Sequence, residues 1–217
     1  MPKWIKSVVG LLLLPLCIGI AQAVMMVMRA GGDADAVMVA LVAGAACWLV
    51  IFLLLPKPYR AYVVGHELTH ALWTWLFGGR VRKFKATARG GHVVVTKTNF
   101  LITLAPYFFP FYAAVVVAVF LAGHLIWDWT RYRVLFHLLL GAAYAFHVTL
   151  TWHALRTRQT DITDQGYVFS AVIIWLGNAA VLLFGVPLVT SQVGWLEALK
   201  LWVECTAEVL QRLSRLF

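Results

Sequence analysis

Long apolar runs separated by short charged segments organise this chain. Residues 7–28, 36–56, 98–127, 134–155 and 165–196 contain no Asp, Glu, Lys or Arg, and 61–79 contains one acid, Glu67. A helix needs about 20 apolar residues to cross the hydrocarbon layer of a bilayer. The pattern therefore predicts six transmembrane helices, at about 7–28, 36–56, 61–79, 99–124, 134–155 and 166–189. Pro106 and Pro110 fall inside the fourth, which predicts a broken or re-entrant first half. The first run ends in Ala21-Gln22-Ala23, a cleavage-like sequence, yet continues apolar through Met28. That is longer than the apolar core of a signal peptide, so an uncleaved helix is expected.

Two segments break the pattern. From Gly78-Gly79 to Lys97 the chain carries six basic residues and the β-branched run Val93-Val94-Val95. This reads as a β-hairpin at about 80–97, turning at Gly90-Gly91. An isolated hairpin is marginal in water, so it should lean on the helices or on the membrane surface. After 195, apolar positions 195, 199, 202, 203, 209, 210 and 213 recur with a helical period, with Glu197, Lys200, Glu204, Glu208 and Arg212 between them. That predicts an amphipathic helix at about 195–217, lying in the membrane interface. No repeat or linker appears, so residues 1–217 are read as one domain: an all-α membrane bundle with a short hairpin.

Composition agrees with this reading. Hydrophobic residues make up 62% of the chain and charged residues 12%, with a mean hydropathy of +0.84. A soluble domain is nearer half apolar and a quarter charged, and a disordered chain would be far more polar. The net charge of +9 is spread between apolar runs, which suits loops facing anionic lipid head groups and not a nucleic-acid face. The basic residues are too evenly divided between the two sides to fix an orientation. Cys17, Cys47 and Cys205 are scattered, with no CxxC pair, so neither a disulfide framework nor a cysteine zinc site is expected.

The third apolar run contains His66-Glu67-Leu68-Thr69-His70, a HExxH sequence. Residues i and i+4 stand about 40° apart around a helix, so both imidazoles can bind one zinc ion. Glu67 is turned by about 100° from His66, where it can reach a water on the ion's open position. Zinc lowers the pKa of that water, and the carboxylate can take its proton and pass it to a leaving amine. At this composition, with 7 His, about 0.004 chance matches are expected, and the helical context is the one the motif requires. The other three glutamates, Glu197, Glu204 and Glu208, lie in the tail. Glu67 is thus the only glutamate in a predicted span, and ionisable groups there are functional candidates.

A third ligand must come from elsewhere. Asp33, Asp35 and Asp128 read as loop acids. Asp161 and Asp164 stand three apart at the start of the sixth span, where one helical face can carry both, or where one can serve as a helix N-cap. His147 in the fifth span competes on depth, while His92, His124, His137 and His153 fit interfacial or helix-linking roles.

These residues resemble the site-2 protease family of intramembrane zinc metalloproteases, in a small bacterial-type form without a PDZ module. The resemblance rests on Gly65-His66-Glu67-Leu68-Thr69-His70-Ala71, on Phe77-Gly78-Gly79-Arg80-Val81 leading into a hairpin, on the apolar span with Pro106, and on Gln159-Thr160-Asp161-Ile162 through Gly166. It covers roughly 60–180. It implies one zinc per chain held by His66, His70 and Asp161, with Asp164 in reserve, and Glu67 as general base; His147 remains the alternative that the residues alone offer. It also implies cleavage of a peptide bond in or beside a membrane helix of a protein or peptide substrate, with the hairpin around Val93, Val94 and Val95 presenting the unwound segment. Location in a prokaryotic plasma membrane is implied too. The chain departs from the family's Asn-Pro-x-x-Asp-Gly and Leu-Asp-Gly patterns, its nearest sequence being Asp164-Gln165-Gly166. Two enzyme alternatives are weaker. Membrane di-iron oxygenases use adjacent histidines, and no His-His occurs; other HExxH membrane peptidases take a later Glu, and none precedes the tail. The non-enzyme alternative is a transporter, metal carrier or scaffold with a closed structural site of four ligands.

Overall fold

Prolines and glycines punctuate the apolar runs, and the computed structural model follows that punctuation. It describes residues 2–31, 35–87 and 90–215. Asp33 and Arg89 fall outside the described residues, as does the side chain of Asp35. The elements in chain order are α1 (Lys3–Leu12), α2 (Leu14–Gly31), α3 (Asp35–Leu54), α4 (Tyr59–Leu76), β1 (Val81–Thr87), β2 (Gly90–Val95), α5 (Phe100–Leu104), α6 (Phe111–Trp127), α7 (Arg133–Leu155), α8 (Thr160–Gln165), α9 (Tyr167–Thr190) and α10 (Trp195–Ser214). Short 3-10 turns, Ala105–Tyr107 and Trp129–Tyr132, follow α5 and α6.

Three described helical stretches are long and apolar enough to cross a membrane: Ala36–Leu54, Trp129–Leu155 and Tyr167–Thr190. Two bent pairs raise the number to five if each counts as one crossing. Lys3–Leu12 and Leu14–Ala30 meet at 44°, where Pro15 cannot donate to the preceding turn. Phe100–Tyr107 and Phe111–Trp127 meet at 84°, and Pro106 and Pro110 sit at that break. The remaining expected span, the third at about 61–79, corresponds to α4. It does not reach the same apolarity, because His66, Glu67 and His70 occupy its middle.

The chain divides into two compact units, Met1–Asp35 with Thr160–Phe217, and Ala36–Gln159. In the first, α2, α9 and α10 share a core of Ile20, Ala23, Val24, Val27, Ala179, Leu183, Ala198 and Cys205. The face of α10 packed here carries Ala198, Cys205 and Val209, while Trp195, Leu199, Val203, Leu210 and Leu213 of the predicted stripe stay exposed. Gly19 lets the two helices approach, since a Cβ there would stand 2.8 Å from the Thr206 backbone. Trp202 Nε1 donates to Leu16 O at 3.2 Å and Trp175 Nε1 to Cys17 O at 3.3 Å.

In the second unit, α3 and α7 cross at a reciprocal pair of glycines. A Cβ on Gly44 would collide with the Leu138 carbonyl, and one on Gly141 with the Leu41 carbonyl; small residues allow such backbone approach. Trp48 Nε1 donates to Thr149 Oγ1 at 2.8 Å beside this crossing. The hairpin packs on α4. Its register pairs Val81 with Val95, Lys83 with Val94, Phe84 with Val93, Lys85 with His92, Ala86 with Gly91 and Thr87 with Gly90, with an irregularity between Val81 and Lys83. Gly90-Gly91 is therefore not the turn. Both glycines belong to β2, and Gly91 is needed there for the reason given below.

Candidate metal centre

The motif helix α4 turns its polar groups inward. Glu67 is 6% exposed, and Thr69 is buried with Oγ1 donating to Gly65 O at 2.7 Å. The rings of His66 and His70 have centroids 4.9 Å apart, nearly perpendicular at 78°. Each offers a ring nitrogen within 4.8 Å of the other's, a separation that small ring rotations close onto one ion.

The orientation of His70 has a backbone cause. Its Nδ1 donates to Ile102 O at 2.8 Å, which leaves Nε2 as the nitrogen with a free lone pair. In a continuous helix the Ile102 carbonyl would accept from the N–H of residue 106. Residue 106 is proline and has no N–H, so the carbonyl is left for the histidine. Asn99 caps α5, its side chain accepting from Ile102 N at 2.8 Å, and so fixes the segment that carries this acceptor. A ligand imidazole held by a second hydrogen bond is the usual support of a metal site.

His66 is framed by aromatic rings. Tyr107, fully buried, meets it edge-on at 5.3 Å, and Tyr62 lies at 5.9 Å. Tyr112 closes the other flank, donating to Ala61 O at 2.6 Å. A side chain on Gly65 would strike the Tyr112 ring at 2.7 Å. Between them is a cavity of about 20 Å³ lined by Tyr62, Gly65, His66, Thr69, Pro106, Tyr112, Phe146 and His147, among others. That is room for about one water molecule. His147, 7% exposed, lines this cavity, but its nitrogens are not among those grouped with His66 and His70.

Asp161 and Asp164 lie in the other unit, on α8. Asp161 is half-buried in the first turn and Asp164 is exposed. The helix begins at Thr160, so Asp161 is inside it and not at its N-cap. Gly166, with φ +93°, separates α8 from α9, so the two acids precede the long helix and do not open it. Asp128 lies outside the long helices; the Thr130 hydroxyl and backbone N–H hold its carboxyl below the usual range, as a loop acid. In the hairpin, Val93 and Val95 are half-buried and Val94 is exposed. The sheet has two strands, so the outer edge of β2 has no strand partner among the described residues.

Tyr62 stands four residues before His66 and was readable from spacing alone. The Ile102 carbonyl and Gly91 carry no such signal, since each matters only through tertiary contact. Comparison of the chain with family models, with curated proteins and with solved structures gives no match.

Proposed function

We propose that this chain is a membrane-embedded zinc metallopeptidase that hydrolyses a peptide bond within or beside a transmembrane segment of a protein or peptide substrate. The observation that carries the reading is the convergence of two imidazoles, one oriented by the Ile102 carbonyl, beside a buried glutamate on the same helix. The donor types fit zinc: His66 and His70 supply two imidazoles, and a carboxylate as third ligand would complete a two-histidine, one-carboxylate set. Asp161 is the third ligand that the site-2 protease resemblance assigns. When bound, zinc supplies Lewis acidity and brings the pKa of a coordinated water near neutrality.

The chain's own residues supply the rest. Glu67, set off the axis of the two histidines, accepts a proton from water and returns it to the leaving amine. Burial keeps its carboxylate out of bulk solvent, where it would be levelled by water. Tyr62, Tyr107 and Tyr112 wall the site with rings and keep His66 from turning away. The free edge of β2 offers backbone groups to a substrate segment unwound into a strand. Six crossings, with α4 as the polar one among them, accommodate this chemistry in a bilayer, and the site-2 protease resemblance points to a prokaryotic plasma membrane.

A structural zinc site is the competing reading, favoured by the place of His147 on the same cavity as His66. It requires four protein ligands and leaves Glu67 without a task.

Metal content decides between them. Detergent-purified protein should carry about one zinc per chain by mass spectrometry. His66→Ala, His70→Ala and Asp161→Ala should lose it, while Asp164→Ala and His147→Ala keep it. In proteoliposomes holding a panel of quenched-fluorescent single-span peptides, the wild type should cleave at least one. Absence of stoichiometric zinc, or zinc lost with His147→Ala and no cleavage, would remove the peptidase reading.

A further inference from the structure

Glu67 is covered from the hairpin side, and the residue that covers it has no side chain. A Cβ built on Gly91 would stand 2.7 Å from Glu67 Cγ and 2.8 Å from Oε1, against an ordinary carbon contact of about 3.5–4.0 Å. The main chain of β2 therefore rests directly on the carboxylate.

Gly91 is required for space and not for conformation. Its neighbour Gly90 has φ +134°, a region side chains avoid, whereas Gly91 is not among the glycines at positive φ. Nor can the strand retreat. Ala86 pairs with Gly91 from the other strand, and the hairpin base is closed by Arg80 N donating to Thr96 Oγ1 at 2.8 Å and Thr96 N donating to Arg80 O at 3.0 Å.

We infer that Gly91 is the positioning residue for Glu67: the backbone of β2 seats the carboxylate in one orientation, and residue 91 must lack a side chain for that seat to exist. This rests on the reading of Glu67 as the proton acceptor. The consequence is that the hairpin acts in catalysis as well as in any substrate pairing. A displacement of about 1 Å in a reacting group is enough to cost on the order of a hundredfold in rate.

Crosslinking tests the seat without any substrate. In a chain carrying Cys17→Ala, Cys47→Ser and Cys205→Ala, Glu67→Cys with Gly91→Cys places a sulfur at Cγ about as far from the residue-91 Cβ as a disulfide requires. Mild oxidation in membranes should link this pair roughly ten times more completely than Glu67→Cys with Val93→Cys, which lies about 6.7 Å further along the strand. Equal linking of both pairs, or none at 67–91, overturns the inference.

Kinetics then separate positioning from folding. On the best-cleaved peptide of the panel, Gly91→Ala should keep zinc and KM while kcat falls at least about tenfold. Shortening the acid makes room, so Gly91→Ala added to Glu67→Asp should cost less than about twofold. An equal loss in both backgrounds would mean that alanine only disturbs hairpin pairing at the Lys85 carbonyl, 2.7 Å from the same Cβ, and would overturn the positioning role. If the wild type cleaves no peptide, the proposed function falls, and the crosslink still decides whether Gly91 seats residue 67.

Discussion

Helices α4 and α10 are nearly the same length, 18 and 20 residues, and between them hold every glutamate in the chain. They use it in opposite ways. In α10, Glu204 and Glu208 have side chains 55% and 63% exposed and pair at i,i+4 with Lys200 at 3.7 Å and Arg212 at 3.6 Å. In α4, Glu67 is buried, and no Lys or Arg stands three or four residues from it in either direction. Solvated pairs of the first kind are worth tenths of a kcal/mol. Taking a carboxylate out of water costs several, and such a group persists where something uses it. Residue type alone says nothing here; the face of the helix decides.

Glutamate-to-glutamine exchange should split the two helices most widely. Glu67→Gln should lower peptide hydrolysis by about a thousandfold, within the range of a lost general base, with zinc content unchanged. Glu204→Gln and Glu208→Gln should stay within twofold in the same assay. Retained hydrolysis in Glu67→Gln would put α4 on the same footing as α10.

Metal affinity sharpens the contrast from the side of support. Pro106→Ala restores an N–H that competes for the Ile102 carbonyl, and should weaken zinc binding by about 10–100-fold, the usual cost of losing such a partner, in a chelator competition titration. No variant of α10 should move that affinity.

Packing gives the reverse test, in which α10 suffers and the metal centre does not. Gly19→Val drives a side chain into the Thr206 backbone and should destabilise by about 1–3 kcal/mol, read as earlier thermal aggregation in detergent with zinc still bound. The smallest effect is chemical. Burial, with Glu208 and Glu204 nearby, pushes the Cys205 thiol above its usual range. Its alkylation by maleimide near neutral pH should be slower than that of a free thiol, and should rise only at more alkaline pH, since the reactive thiolate forms later.

Much of this arrangement was legible in residue order. The HExxH spacing placed His66 and His70 on one face, Pro106 and Pro110 announced the break that the structure bends through 84°, and the period of the tail marked α10. Three things were not legible. Gly90-Gly91 was placed at the turn of the hairpin, because a Gly-Gly pair reads as a turn when its need is close backbone approach within a strand. The face by which α10 meets α2, with Ala198 and Cys205 buried, was not read, because small residues between bulky ones add little to an apolar stripe. The acceptor for His70 is a main-chain atom, which no side-chain pattern encodes.

Pro106 contributes to the candidate metal centre by what it lacks. The useful property is a missing hydrogen-bond donor, and the ring that removes it also bends the chain. Backbone chemistry can separate the two. An ester linkage between residues 105 and 106, with lactic acid in place of proline, has no ring and equally no N–H. It should leave the Ile102 carbonyl to His70 while relaxing the bend, so the geometry of the turn and the supply of the acceptor can be adjusted independently when a similar centre is built elsewhere.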